Sequence, residues 1–204
     1  VAPFRQPVIE EVRPQAGPNQ LIVVGSTLVI RGQRLSGEIT QVRIGASDPV
    51  PPIALSDSEM SLSLTEPPLP AGTLRAGVQG VQVVHPMLLG TPPVPHRGVE
   101  SNVAAFVLHP TIIPPVTVST IVTPSGSQMT VTVKLKPDVG KEQRVVLLLN
   151  ELGSNSPRAF SFPAASRADA GDSIAIPISG VKAADYLVRV QVDGAESLLI
   201  ANAA

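Results

Sequence analysis

The chain has 204 residues, 43% of them hydrophobic and 15% charged, with a net charge of −1. That length suits one large domain or two small ones at roughly 100–150 residues each, and the apolar content excludes the disordered class. A near-neutral balance excludes electrostatic capture of nucleic acid or of an anionic membrane, so neither is expected as a partner. The 22 prolines and 16 glycines oppose long helices and favour short strands with turns between them. Aromatics are 2% and Trp is absent, so the cores must be built from Val, Ile and Leu. Without Cys there is no disulfide, no thiolate metal site and no cysteine nucleophile, and a disulfide-free module of this size favours the cytoplasm. No apolar run approaches the ~18–20 residues needed to span a bilayer, and the first residues lack a signal peptide's basic start and apolar stretch. The chain begins at Val1 and not at Met, so a processed product or a piece of a longer polypeptide is expected.

The predicted elements follow from alternation. An apolar strand at Pro7-Val8-Ile9-Glu10-Glu11-Val12-Arg13 runs into a turn at Pro14 and Gly17. Residues 21–24 and 27–31 read as strands around Gly25-Ser26, and 39–44 as a further strand ending at Gly45. The prolines at 49, 51 and 52 mark an irregular edge, because Pro cannot donate to a ladder. Met60, Leu62 and Leu64 alternate with Ser61, Ser63 and Thr65, and 77–85 reads as another strand. Residues 101–110 hold a Ser-Asn entry, the apolar last strand of the first domain and an exit proline. Residues 109–115, with three prolines, read as a short stiff connection, so the domains are expected at 1–110 and 111–204. In the second, 129–135 alternates, 144–149 is a nearly continuous apolar run expected of a central strand, and 159–162 and 173–179 are shorter strands. Residues 185–192 alternate strictly into Asp193-Gly194, a two-residue hairpin signal, and 198–201 is the expected last strand. Tyr186 sits where a tyrosine corner would lie. The predicted fold class is all-β, with two tandem β-sandwich domains and almost no helix. Val29, Ile44, Val83 and Phe106, and in the second domain Val133, Leu147, Ile176, Tyr186 and Val190, are expected to be buried.

Chemistry is sparsely signalled. His85 and His96 flank an apolar stretch and could approach one another, but Glu100 is the one nearby third ligand for a zinc ion, so no metal site is expected. No Gly-x-Ser-x-Gly elbow marks a nucleophile. Asp57 and Glu59 lie in a Ser-rich turn and suit turn chemistry, and Asp169 and Asp172 are too few for a calcium loop. Gly77 and Gly80 precede no helix, so they cradle no phosphate. No catalytic residue, cofactor or enzyme activity is expected. The anomaly is 86–100, a loop longer than a hairpin needs, which carries Met87, Leu88, Leu89 and Val94 with His96 beside them. Apolar side chains on a long loop are either folded back as a lid or offered to a protein partner.

The opening strand and turn, Thr27-Leu28-Val29-Ile30-Arg31-Gly32, and Ser101-Asn102-Val103-Ala104-Ala105-Phe106 before an exit Pro110 resemble an IPT/TIG-type immunoglobulin-like domain. Gly77-Val78-Gln79-Gly80-Val81-Gln82-Val83-Val84-His85-Pro86, Leu88-Leu89-Gly90, and His96-Arg97-Gly98-Val99-Glu100-Ser101-Asn102-Val103-Ala104 are similar to the immunoglobulin-like C-terminal region of the DUF4255 (Pvc16-like) family. So are Gln143-Arg144-Val145-Val146-Leu147-Leu148-Leu149-Asn150-Glu151 and Tyr186-Leu187-Val188-Arg189-Val190-Gln191-Val192-Asp193-Gly194-Ala195-Glu196-Ser197. The resemblance implies immunoglobulin-like sandwiches from a tube-terminating cap protein of a phage-tail-like contractile injection system. It also implies a preceding cap domain and neighbouring tail subunits as partners, in a cytoplasmic bacterial assembly. The alternative is a spacer or binding module of a surface adhesin or carbohydrate-active protein. Absence of Trp leaves such a module without the usual glycan platform.

Overall fold

The computed structural model describes residues 6–123, 126–153 and 155–199. Among them there is no helix, and the strands form four antiparallel sheets with no barrel. The chain divides into two compact units, one of Val1–Leu74 and Val78–Leu108, the other of Arg75–Gly77 and His109–Ala204.

In the first unit, β1 (Val8–Pro14), β2 (Thr27–Gln33), β4 (Ala54–Leu55) and β5 (Glu59–Ser63) make one sheet in the order β1-β2-β5-β4. The other sheet runs β3 (Gln41–Ile44), β6 (Gly77–Leu89), β7 (Val94–Glu100), with β8 (Ala104–Leu108) also paired to β6. Leu28, Ile30, Met60 and Leu62 of the first sheet and Val42, Ile44, Val81, Val83 and Phe106 of the second share one buried cluster. Period-two alternation puts these side chains on a single face of each strand, which is how two sheets close over a core. Val29 is buried but lies outside that cluster, on the opposite face of β2 between Arg13 and Ser61. The run Leu28-Val29-Ile30 is apolar at every position, so its inward phase is set by the neighbouring strands. The expected strand at 21–24 reduces to a single bridge from Ile22 to Leu108.

A side chain joins the two sheets where no strand can. The β1–β2 register slips between Ile9 and Glu11. At that point the Ile9 N–H donates to Asn102 Oδ1 at 2.8 Å, and Asn102 Nδ2 donates to the Ile9 carbonyl at 3.0 Å. The amide thus presents the donor and acceptor of a missing backbone partner.

In the second unit, β13 (Gly171–Ile178), β10 (Gly126–Val139) and β9 (Thr111–Thr123) form one sheet in that order. The other runs β12 (Ala159–Pro163), β11 (Val145–Glu151), β14 (Tyr186–Val192), β15 (Ala195–Glu196). Val131, Val133, Leu135, Leu147, Leu149, Ile174, Ile176, Val190 and Val192 fill the core between them. Two expectations need correction here. Residues 111–115 belong to β9, because Thr111, Ile112 and Ile113 pair with Lys136, Leu135 and Lys134, and Pro114 and Pro115 fall where the register slips. A proline pair at an irregularity on an edge strand leaves the ladder on either side intact. The last paired strand is β15; Leu198 and Leu199 carry no strand, and 200–201 lie outside the described residues.

Asp193 and Gly194 close the β14–β15 hairpin with φ of 46° and 90°, the left-handed pair a type I′ turn requires. Tyr186 is half-buried and not enclosed, because its hydroxyl must reach out to donate to the Lys182 carbonyl at 3.1 Å. Its ring meets Phe160 edge-on at 6.1 Å, and the Arg158 guanidinium lies 5.6 Å from the Phe160 centroid.

Arg158 Nε also donates to Glu151 Oε2 at 2.9 Å, and that hydrogen bond holds the Glu151 carboxyl below the usual carboxylate range. A depressed carboxylate contributes stability that is fully present above its unfolded value and lost as pH falls towards the folded one. Arg158→Gln should therefore melt below the wild type at neutral pH, and the gap should close on acidification through the carboxylate range. A gap that is constant with pH would assign the effect to the cation over Phe160 instead.

Candidate interaction site

The expected loop at 86–100 is a hairpin. β6 continues through Leu89 and β7 begins at Val94, with Met87 opposite His96, Leu88 opposite Pro95 and Leu89 opposite Val94. Four prolines in this stretch hide the alternation, yet each occupies an edge or a turn, where a missing donor costs little. The turn passes through Gly90, whose φ is +95°. Gly98 is equally necessary, since a Cβ there would stand 1.9 Å from the His85 carbonyl oxygen at the point where the β6–β7 register slips.

Residues directly opposite one another share a face. Met87, Leu89, Val94 and His96 therefore form one face of the hairpin, with Leu88 and Pro95 on the other. The five residues singled out from the sequence come together on one element, divided between its two sides. Burial along β6 ends at Val84. Beyond it Met87 and Leu88 are each 38% exposed, Leu89 50% and Val94 47%. Exposure on both faces means that no sheet covers this part of the hairpin.

At the hairpin base an open groove of about 450 Å³ is lined by Gln41, Arg43, Pro86, Pro95, His96 and Glu100. Arg43 Nη1 donates to Glu100 Oε1 at 3.2 Å across its floor. The histidines do not converge. His85 Nε2 donates to the Leu35 carbonyl at 2.9 Å, and His109 Nδ1 to the Glu196 carbonyl at 2.8 Å. His96 is exposed on β7. Among the described residues no group of three His, Asp or Glu could hold a metal ion.

The two units each close a hairpin with the same lock and different turns. In the first, Glu100 pairs with Val84, and Ser101 follows. Its Oγ accepts the Val83 N–H at 2.9 Å while its own N–H donates to the Val83 carbonyl at 2.9 Å. In the second, Glu196 pairs with Gln191, and Ser197 follows. Its Oγ accepts the Val190 N–H at 3.0 Å and its N–H donates to the Val190 carbonyl at 2.8 Å. Both serines are 5% exposed. One step further out, His85 lies opposite Val99 and Val192 opposite Ala195. From there the second unit needs only Asp193-Gly194 to reverse direction, while the first uses 86–98. The sequence carries a trace of this lock in its two Glu-Ser pairs, but the side-chain donation onto the preceding strand has no sequence signature.

A family model described as a domain of unknown function, DUF8756, matches residues 110–204. This corrects the resemblance drawn from the sequence: the family found is neither DUF4255 nor IPT/TIG, and no relative supports either. The shared features were short apolar strands and Gly- and Pro-marked turns, which the physics of a two-sheet fold asks of unrelated chains alike. No curated protein matches the chain. Two solved structures, each described as a cytokine receptor complex (crystal form 2 and crystal form 1A), are similar at 17% identity with TM-scores of 0.38 and 0.37. Both alignments cover 94% of this chain, and 100% and 93% of those chains. Among the described residues no helix is long and apolar enough to cross a membrane.

Proposed function

We propose that this chain is a non-catalytic protein-interaction module of two immunoglobulin-like β-sandwiches, and that the 86–98 hairpin is its contact element. The observation that carries the reading is the unequal corner: one unit turns in two residues, the other spends 86–98 on an apolar projection that its own core does not use. An exposed apolar surface lowers solubility unless something covers it. Each of Met87, Leu88 and Leu89 would contribute about 1.5–3 kcal/mol if fully buried by a partner. The strand orders of the first unit and the Tyr186 hydroxyl bonded to a carbonyl four residues upstream support the immunoglobulin-like reading.

Two variants test it. In the first, 86–98 is replaced by Asp-Gly, copying the turn of the second unit. In the second, Met87, Leu89 and Val94 become Ser. Both should keep the wild-type melting temperature. The Ser variant should lose the crosslinks that a photoreactive residue at Leu88 forms, in the cells that make the protein, with the partner the wild type contacts, and the shortened variant should no longer retain that partner. A triple variant that melts several degrees lower would make the hairpin part of the fold. Unchanged crosslinking would remove it from the interface.

A further inference from the structure

Edge strands are open templates for pairing, and β-rich proteins blunt them with charge, proline, bulges or shortness. Every other edge among the described residues is so treated. β1 carries Glu10, Glu11 and Arg13 and a register slip; β4 and β15 are two residues each. β3 is four residues long, and its Val42 is bridged by Val50. β7 carries Pro95, β12 ends at Pro163, and β13 carries Asp172 and Pro177. β8 is short, and its last residue, Leu108, is bridged by Ile22.

β9 beyond Pro115 is the exception. It ends its sheet, and among the described residues nothing pairs with its outer edge. Residues 116–123 read Val-Thr-Val-Ser-Thr-Ile-Val-Thr, without a charge, a proline or a glycine. All but Ser are strong strand formers. Val118 and Val122 stand on the core-facing side of the sheet, opposite Val131 and Ser127 of β10, yet are 59% and 80% exposed.

We propose that this edge pairs with the same edge of a second copy of the chain, antiparallel about a two-fold axis through Thr120. That axis places Val118 of each copy directly opposite Val122 of the other on one face, with Thr120 opposite itself. The exposed side chains of Val118 and Val122 then cover one another, and the two three-stranded sheets become one of six strands. Self-complementarity favours a second copy: Val118 and Val122 lie symmetrically about Thr120 on one face, and an edge without charge has none to repel in its own image. The proposal is independent of the hairpin at 86–98.

Sedimentation equilibrium of the full chain should show a concentration-dependent dimer. The double variant Val118→Lys, Val122→Lys sets cations against cations and should be monomeric with an unchanged β-sheet spectrum. Because the chain has no cysteine, Thr120→Cys offers a second readout: facing Cα atoms of antiparallel strands lie within disulfide reach. This variant should crosslink under mild oxidation. Thr117→Cys should not, since the same axis separates the two copies of residue 117 by about 20 Å along the strand. A wild type monomeric at every concentration overturns the proposal, as does a dimer that survives both lysines. Equal crosslinking at 117 and 120 would overturn the axis. A monomer that binds a synthetic 116–123 peptide would assign the edge to a foreign strand.

Discussion

Truncating Leu147 to alanine should destabilise the second unit by about 2–5 kcal/mol, the range for deleting a fully enclosed leucine side chain. Leu147 sits mid-strand in β11, inside its sheet, with Phe162 opposite on one neighbour and Val190 on the other. It is fully buried, and Val133, Ile174 and Ile176 from the other sheet belong to the same cluster. The cavity cannot collapse cheaply, because the walls on both sides are hydrogen-bonded ladders whose spacing is fixed. Leu147→Met, which keeps the volume, should cost below about 1.5 kcal/mol. Chemical denaturation monitored by Tyr186, the chain's single tyrosine and part of the same unit, reads this transition. A loss under about 0.5 kcal/mol, the level of ordinary surface changes, would mean that β11 is not the centre of the core.

Leu147 was legible because a run of apolar residues bounded by polar ones marks a strand inside its sheet, here with Val145, Leu147 and Leu149 in the core and Val146 and Leu148 on the other face. Met60 and Leu62, and Val190 and Val192, were legible for the complementary reason, since strict alternation fixes the inward face. Elsewhere the signals are ambiguous. Val29 is buried as expected, but it sits inside the apolar run Leu28-Val29-Ile30, so nothing local says that it faces away from the core cluster. β9 hid behind Pro110, Pro114 and Pro115, which look like a linker although an edge strand tolerates them. The outer hairpin of β6 and β7 hid behind Pro86, Pro92, Pro93 and Pro95 for the same reason. The apolar character of Met87, Leu88, Leu89 and Val94 was nevertheless legible, because it is a property of composition and does not depend on strand phase. What no pattern announces is a side chain that replaces a backbone, as Ser101, Asn102 and Ser197 do. Their partners lie on strands distant in sequence, and their residue types are those of any turn.

Asn102 carries the larger consequence of the three. Asn102→Ala should cost the first unit about 2–4 kcal/mol, because both the N–H and the carbonyl of Ile9 lose their partner at a site partly shielded from water. The loss should appear as early release of β1, whose register is already broken beside Ile9. Amide exchange at Ile9 and Val12 should accelerate more than at Ile30 in the neighbouring β2. Asn102→Asp gives a sharper test. Its carboxylate can accept from the Ile9 N–H but faces the Ile9 carbonyl with a second acceptor, so at neutral pH it should also be destabilising. Protonation supplies the missing donor. The folded state of this variant therefore holds that proton more tightly than the unfolded chain, and its stability relative to wild type should rise as pH falls through the carboxylate range. If Asn102→Asp instead tracks the wild type at every pH, or Asn102→Ala melts as the wild type does, the amide is not the clasp that holds β1 to the second sheet.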